Sequence, residues 1–313
     1  MGGIQVADYK VVVSSSPHLK TAVTTPILMR DVVIALLPAA LAAIVFFGMN
    51  ALTVMLVSVV SAVASEALFQ KITGKAVTIG DFSAVVTGLL LAFNLPASVP
   101  LWIPVVGSAF AMIIVKQLFG GLGQNFLNPA LAARAVLLAS WPAHLTAVVG
   151  PFDVKTTATA LVVMKTGQGQ IPSLFDMFIG NMAGQLGETS ALALIIGALY
   201  LLARKVIDWR TPVSYLGTVF VLTALFGRDP LSHLLAGGLM LGALFMATDY
   251  VTTPVTKKGR IIFGVGAGLI TVLIRLYGGY PEGVTYAILL MNIATPLIDR
   301  FTVPRRFGYV KRS

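Results

Sequence analysis

The stretch DVVIALLPAALAAIVFFG, residues 31–48, is apolar throughout except for Asp31 at its start. A helix of this length measures about 27 Å, close to the roughly 30 Å thickness of a bilayer's hydrocarbon core. A second apolar segment follows almost directly, at residues 51–70. Backbone polar groups must be satisfied inside lipid, so the two segments predict a pair of membrane helices.

The composition of the whole chain supports the same class of protein. The 313 residues are 57% hydrophobic and 11% charged, whereas soluble domains are about 45–50% apolar and about 25% charged. The chain has no Cys, and its three His residues lack metal-ligand spacing. Disulfides, thiolate-bound clusters and Cys-based zinc sites are excluded within this chain, and no metal site is predicted. We therefore expect an all-α integral membrane protein.

Ten apolar segments are long enough, or nearly so, to cross a membrane, which predicts ten transmembrane helices in two five-helix halves. They lie at residues 31–48, 51–70, 82–95, 101–119, 126–140, 190–203, 212–226, 231–247, 261–277 and 283–299. The segments 82–95 and 126–140 are short, which predicts either half-helices that meet at a buried site or thin or tilted spans.

The same segments divide the chain into five regions. They are an N-terminal segment (1–30), a first membrane half (31–140), a polar loop (141–189), a second membrane half (190–299) and a basic tail (300–313).

The net charge of +10 is explained by membrane orientation. If the N-terminus is cytoplasmic and all ten segments cross, 17 of the 22 basic residues, Lys116 among them, lie on the cytoplasmic side. The positive-inside rule then predicts cytoplasmic termini and an extracytoplasmic loop 141–189. Nucleic-acid binding is not expected. The basic tail is interpreted as an orientation signal that contacts lipid headgroups.

The hydroxyl-rich run DVKTTAT, residues 153–159, lies in the central polar loop. One interpretation is a polar turn followed by a capped helix. The other depends on a resemblance: the pattern Asp-x-x-(Ser/Thr)-x-Ala-Thr resembles the acceptor signature of membrane flavoproteins. In those proteins the last Thr carries FMN through a phosphoester. That reading assigns Thr159 as the acceptor, with Asp153, Thr156 and Ala158 completing the signature.

Two amides open the fifth segment, within the run GGLGQNFLNPA at residues 120–130. Asn125 and Asn128 lie three apart, which would place them on one face of a helix start. Their donor and acceptor groups could read the edge of a flavin ring. The alternative is N-capping by Asn125 with Pro129 at the helix entry, which the spacing also fits.

Acids at membrane depth are expensive and therefore informative. Glu66, Asp249 and Asp299 are the candidates for an ion pathway, with Arg134 and Arg275 as candidate partners. We interpret Glu188 and Glu282, each beside a Gly, as loop acids.

Several runs together resemble the RnfD/NqrB family of ion-translocating electron-transport membrane flavoproteins. They are SSSPH (14–18), GQNFLNPA (123–130), DVKTTAT (153–159), GETS (187–190), TDYVTTP (248–254), YPEG (280–283), MN (291–292) and PLIDR (296–300).

The resemblance implies a ten-helix subunit of a redox-driven ion translocase. It implies FMN attached to Thr159 by a flavin transferase, and a second, non-covalent riboflavin or FMN near Asn125 and Asn128. It also implies partner Rnf subunits A, B, C, E and G that carry iron–sulfur clusters and flavins. Such a chain would carry electrons, coupled to Na⁺ or H⁺ movement in a bacterial or archaeal cell membrane, with no catalytic side chain of its own.

Three alternatives remain from the sequence. The chain could be the related subunit of a Na⁺-pumping NADH:quinone reductase, although only about 30 residues precede the first segment, which favours Rnf. It could be a flavin-free secondary transporter or channel, with Glu66 and the half-helices at its solute site. It could also be a scaffold that only holds redox partners together.

Overall fold

The computed structural model describes residues 23–152 and 157–304, and within them the chain is helical with no β-strand. The α-helices are α1 (Thr25–Ile72), α2 (Ser83–Phe93), α3 (Trp102–Ala109), α4 (Pro129–Ser140), α5 (Pro142–Thr146), α6 (Ala160–Thr166), α7 (Leu174–Ile179), α8 (Ala191–Ala203), α9 (Arg210–Leu225), α10 (Pro230–Leu235), α11 (Leu239–Leu241), α12 (Lys257–Tyr277) and α13 (Val284–Thr302). A 3₁₀ turn, Ile79–Asp81, precedes α2, and π-helical segments Phe110–Gln117 and Gly242–Met246 continue α3 and α11.

Within the described residues, three helices are long and apolar enough to cross a membrane: α1, α12 and α13. Four shorter apolar helices accompany them: Ser83–Phe93, Trp102–Gln117, Pro129–Ser140 and Ala191–Ala203. The all-helical, membrane-type architecture is therefore confirmed. Ten complete spans stay a prediction.

The first helix is broken where the sequence predicts two segments. Gly48 has φ 67° and ψ −149°, which is not helical, so α1 consists of two helices that meet at this residue. A positive φ of this kind favours Gly, because an added Cβ would clash with the backbone. Large apolar side chains on both parts, such as Leu41 and Val60, remain exposed, as expected for surfaces that face lipid.

The two short segments are short helices in the structure. At 1.5 Å per residue, the 11 residues of α2 and the 12 of α4 reach only about 17–18 Å, less than the hydrocarbon core. The expected continuous segment 231–247 is wrong. Ala236 is extended and Gly237 has φ 67°, so the chain breaks between α10 and α11.

The core of the fold has close contacts between helices and several buried charges. A Cβ on Gly197 of α8 would overlap the carbonyl oxygen of Ala35 in α1, so only Gly permits this approach. Within the described residues, Arg134 and Lys116 are among the largest fully buried side chains, together with Tyr215 and Phe93. These two cations lead to the candidate sites.

Candidate functional site

Thr159 is the N-cap of α6, and its hydroxyl oxygen accepts a long 3.4 Å hydrogen bond from the backbone N–H of Val162. Thr157 and Ala158 before it are exposed, and Thr159 is partly exposed. The capped helix expected for this run is therefore present. Asp153 and Thr156, the other predicted members of the signature, lie outside the described residues.

Thr159 borders a cavity of about 90 Å³ that also involves the loop before α8 and the turn before α13. Gln185 and Glu188 line it from the first of these, and Tyr280 and Glu282 from the second. Glu188 and Glu282 lie in loops, as interpreted from the sequence, but they are not simple surface acids. Glu188 is buried and both carboxylates pair with Arg134, because the loop is folded back against the end of α2.

Asn125 and Asn128 line a second cavity, of about 80 Å³, together with Lys116, Ser83 and Asp249. Both residues precede α4 instead of lying on a helical face, and the capping residue is Asn128, not Asn125. The Asn128 side chain accepts from the N–H groups of residues 130 and 131 and donates to the carbonyl of Met246. The Asn125 amide nitrogen donates only to the carbonyl of Leu127, within the described residues.

Glu66 is fully buried, and its cation is Lys116 instead of the expected Arg134 or Arg275. Lys116 Nζ lies 2.7 Å from Glu66 Oε1 and 2.6 Å from Ser83 Oγ. The Ser83 hydroxyl donates in turn to Asp81, so a chain of polar contacts leads from the buried acid to the start of α2. The sequence analysis counted Lys116 among the charges of the cytoplasmic side, and the structure buries this residue in the π-helical segment that continues α3.

The two remaining acids are held differently. Asp249 lies in the cavity beside Asn125 and Asn128, and its carboxylate accepts from the Thr252 hydroxyl at 3.1 Å. Asp299 does not line that cavity, and it accepts the backbone N–H of Val255 at 3.1 Å. Only Glu66, through Lys116, and Asp249 are thus brought to one cavity.

A third cavity, of about 530 Å³, shares Asp249 with the second and extends to a charged cluster around Asp208. Burial acts to raise the pKa of Asp208. The backbone N–H of Arg210 and the guanidinium of Arg260, at 2.7 Å, outweigh it and hold that pKa below its ordinary value. Asp208 therefore remains ionised at neutral pH between two cations.

Sequence reasoning missed Lys116, Asn94, Glu188 and Glu282 as members of buried sites. One signal for Lys116 was present, because it lies inside the apolar segment 101–119 and not beyond it. Asn94 ends α2, whereas Glu188 and Glu282 follow Gly-containing loops, and only the contacts of these three residues across the fold identify them.

The described helices and their buried ion pairs define a multi-helix membrane protein with ionisable groups inside its core. The chain belongs to the NQR2, RnfD, RnfE family, and the sequence model of that family matches residues 12–308. It is 56% identical over 309 residues to the D component of the Na⁺-translocating ferredoxin:NAD⁺ oxidoreductase complex of Acetobacterium woodii, with 97% of each chain covered.

Two further relatives cover nearly all of both chains. The D component of the proton-translocating ferredoxin:NAD⁺ oxidoreductase complex of Clostridium ljungdahlii is 45% identical, over 98% of this chain and 99% of its own. The D component of the ion-translocating oxidoreductase complex of Citrobacter koseri is 39% identical, over 95% and 99%. The family relationship predicted from the sequence is confirmed.

Proposed function

We propose that this chain is the RnfD-type membrane component of an ion-translocating ferredoxin:NAD⁺ oxidoreductase complex and carries FMN on Thr159. Its relatives, similar over their whole length, are named for that complex. The observation that carries the flavin assignment is the placement of Thr159. Thr159 is partly exposed, its hydroxyl is weakly hydrogen-bonded, and it borders a cavity that Gln185, Glu188 and Glu282 also line.

The residues around Thr159 fit an attachment point for a phosphoester. Thr157 and Ala158 are small and exposed, so a flavin transferase has access to the hydroxyl. The cavity of about 90 Å³ is smaller than the roughly 300–1,000 Å³ of enclosing cofactor pockets. The chain therefore anchors the cofactor at Thr159 instead of enclosing it.

Bound FMN would supply the electron-transfer chemistry, and the protein would supply its position and electrostatic surroundings. The hydroxyl of Thr159 fixes the attachment atom at the first turn of α6. Arg134, the one cation within ion-pairing distance of the cavity's two acids in the described residues, sets the charge beside it.

A second flavin, riboflavin or FMN, is proposed near Asn125 and Asn128. The Asn125 side chain has a free acceptor oxygen by its described hydrogen bonds, whereas the amide of Asn128 is used for capping and for Met246. The adjoining cavity of about 80 Å³ is too small to enclose a flavin ring. Residues of a partner protein in the complex would have to complete this site.

For ion movement we propose Glu66, Asp249 and Asp299. Asp249 lines a cavity that Lys116, the ion-pair partner of Glu66, also lines, whereas Asp299 lies apart from it. The Glu66–Lys116–Ser83–Asp81 chain of contacts supports a route between the buried acid and the start of α2. Reconstituted complex with Glu66→Gln, Asp249→Asn or Asp299→Asn should show reduced ion uptake per electron. Unchanged coupling in all three would refute this route.

The orientation and partners are part of the same proposal. Both termini would be cytoplasmic, the loop that carries Thr159 extracytoplasmic, and residues 31–140 and 190–299 two five-helix halves in a bacterial or archaeal cell membrane. Rnf subunits A, B, C, E and G would exchange electrons with this chain. Whether Na⁺ or H⁺ is moved differs between the named relatives.

Mass spectrometry of the chain from its native host tests the proposal directly. The peptide that contains Thr159 should carry an FMN-sized mass, and Thr159→Val should lose it. Thr157→Val is the matched control, since it removes a neighbouring exposed hydroxyl and should keep the modification. An unmodified peptide in native material, or a modification that depends on Thr157, would refute the assignment.

A further inference from the structure

Arg134, Glu188 and Glu282 form a buried cluster, hereafter the Arg134 cluster. The exposed side-chain fractions are 2% for Arg134, 5% for Glu188 and 18% for Glu282. One guanidinium nitrogen, Nη2, lies 3.4 Å from Glu188 Oε1 and also donates to Glu282 Oε2. The other, Nη1, donates to the side-chain oxygen of Asn94. Two carboxyl groups therefore share one terminal nitrogen.

Both carboxyl groups also lie against Gly238. A Cβ on Gly238 would lie 3.0 Å from Glu188 Oε1 and 3.1 Å from Glu282 Oε1, so one small residue separates the two carboxyl groups. Two carboxylates this close in a buried site cannot both stay ionised unless a positive charge lies with them. The single positive charge of the Arg134 guanidinium balances only one of the two carboxylates.

Gln185 provides an independent sign that a ligand belongs here. Its side chain is 7% exposed and lines the same cavity, and its Oε1 has no hydrogen-bond donor within the described chain. Glu282 Oε1 is unsatisfied in the same way. A buried acceptor without a partner destabilises the fold. Both unsatisfied atoms are acceptors, so they require a donor or a cation, and the second carboxyl charge of the cluster favours a proton or a cation.

The charged and ionisable residues near the Arg134 cluster do not supply this positive charge. Arg275 interacts electrostatically with both acids, but its terminal nitrogens donate to the carbonyls of His233 and Ala236. No ion pair within 4.0 Å involves Arg275 in the described chain. Tyr215 and Tyr286 interact electrostatically with Glu282, and Tyr280 lines the same cavity. None of these tyrosines carries a positive charge.

We infer that Glu188 and Glu282, with Gln185 beside them, bind one exchangeable monovalent cation, a proton or Na⁺, while Arg134 holds the two carboxyl groups in place. The cavity of about 90 Å³ has room for a small cation and water. Oxygen ligands from carboxyl and amide groups suit a hard cation. This site needs no flavin on Thr159 and stands independently of that assignment.

Infrared spectroscopy of the purified full-length chain in detergent tests the inference. Spectra are compared in H₂O and D₂O at neutral pH, with choline chloride or with NaCl as the salt. The variants are Glu188→Gln and Glu282→Gln, which keep the side-chain size. Asp176→Asn, an acid outside the cluster that is bonded to Ser173, is the control.

A bound proton is expected to give a protonated-carboxyl band in choline chloride that is lost in both Glu variants and kept in Asp176→Asn. Bound Na⁺ is expected to abolish that band, or to raise the Tm, in the wild-type chain but not in Glu282→Gln. A wild-type chain with neither the band nor a Na⁺ effect would overturn the inference, and so would either signal persisting in both Glu variants. If a variant fails to fold, the wild-type chain still overturns the inference when it shows neither signal.

Discussion

Lys116 and Glu66 are 50 residues apart in sequence and form an ion pair of 2.7 Å with both side chains buried. Gln117, the residue after Lys116, donates to the same carboxylate oxygen at 2.7 Å. The other oxygen, Oε2, has no donor within the described chain. Two consecutive residues of a π-helical segment thus bind the same carboxylate. On an α-helix, side chains that share a face are three or four residues apart, so this pair would not be predicted.

Removing the cation of this pair should destabilise the chain strongly. Lys116→Met should lower the free energy of unfolding by about 3–5 kcal/mol, because Glu66 is left buried without its partner charge. Adding Glu66→Gln to that variant should recover much of the loss. Reversible unfolding in mixed micelles measures both. Lys71→Met, at an exposed helix end, is the control and should change stability by about 0.5 kcal/mol or less. Equal losses in the two Lys variants would contradict the pairing.

The break between α10 and α11 should be sensitive to a single methyl group. Gly237 and Gly227 both have φ 67°, but a Cβ on Gly237 would overlap Leu161 Cδ1, whereas Gly227 has open space. Gly227→Ala should lower the free energy of unfolding by about 1–2 kcal/mol, because alanine disfavours the left-handed backbone at this position. Gly237→Ala should cost about 1–3 kcal/mol more from overpacking against α6.

Chemical denaturation gives both values, and limited proteolysis should show that only Gly237→Ala loosens the segment around Thr159. A Gly237→Ala chain as stable as Gly227→Ala would show that Leu161 can move aside freely.

The two amides near α4 should separate folding from binding. Asn128→Ala should cost about 2–3 kcal/mol, because it removes a helix cap and leaves the Met246 carbonyl without that donor. Asn125→Ala removes one described bond and should cost about 0.5–1.5 kcal/mol. If the proposed second flavin binds here, Asn125→Ala should lose non-covalent flavin from the purified complex with little loss of stability. Full retention of that flavin in Asn125→Ala would remove Asn125 from the site.

The cap of α10 should contribute a stability term that depends on pH. Hydrogen bonds from the Ser232 side chain and backbone hold the pKa of Asp229 below its ordinary value of 3.8. A carboxylate with a lowered folded-state pKa stabilises the fold above pH 3.8, and the contribution is lost as the pH falls through the folded-state pKa. The Tm difference between the wild-type chain and Asp229→Asn should therefore be present at neutral pH and shrink in strong acid. A difference that stays constant down to strong acid would contradict this origin.

Much of the helical framework was predictable from the sequence because it follows from local chemistry. Long apolar runs predict membrane helices, and the boundary after residue 48 coincides with a Gly whose backbone leaves the helix. The short length of α2 and α4 follows from the polar and Pro-containing residues around them. The segment 231–247 failed as a continuous helix, since its two consecutive Gly residues permit a break that hydropathy does not register.

The candidate sites were predictable only in part. Asn125, Asn128 and Asp249 were chosen from separate parts of the sequence, and the structure brings them to one cavity. The predicted partner of Glu66 was wrong, because a buried acid in the sequence indicates that a cation is needed but not which one. Position along the chain carries no information about the approach of α3 to α1.

The sequence by itself determined that this chain is a helical membrane protein of the NQR2, RnfD, RnfE family, and it singled out Thr159 as the predicted acceptor. Composition, hydropathy and short motifs are local properties, so they can be read residue by residue. Only the tertiary structure decided which charges are paired. Lys116 with Glu66, and Arg134 with Glu188 and Glu282, meet because helices distant in sequence pack together. The free energy of a buried charge depends on what lies within a few ångströms of it, and that neighbourhood exists only after folding.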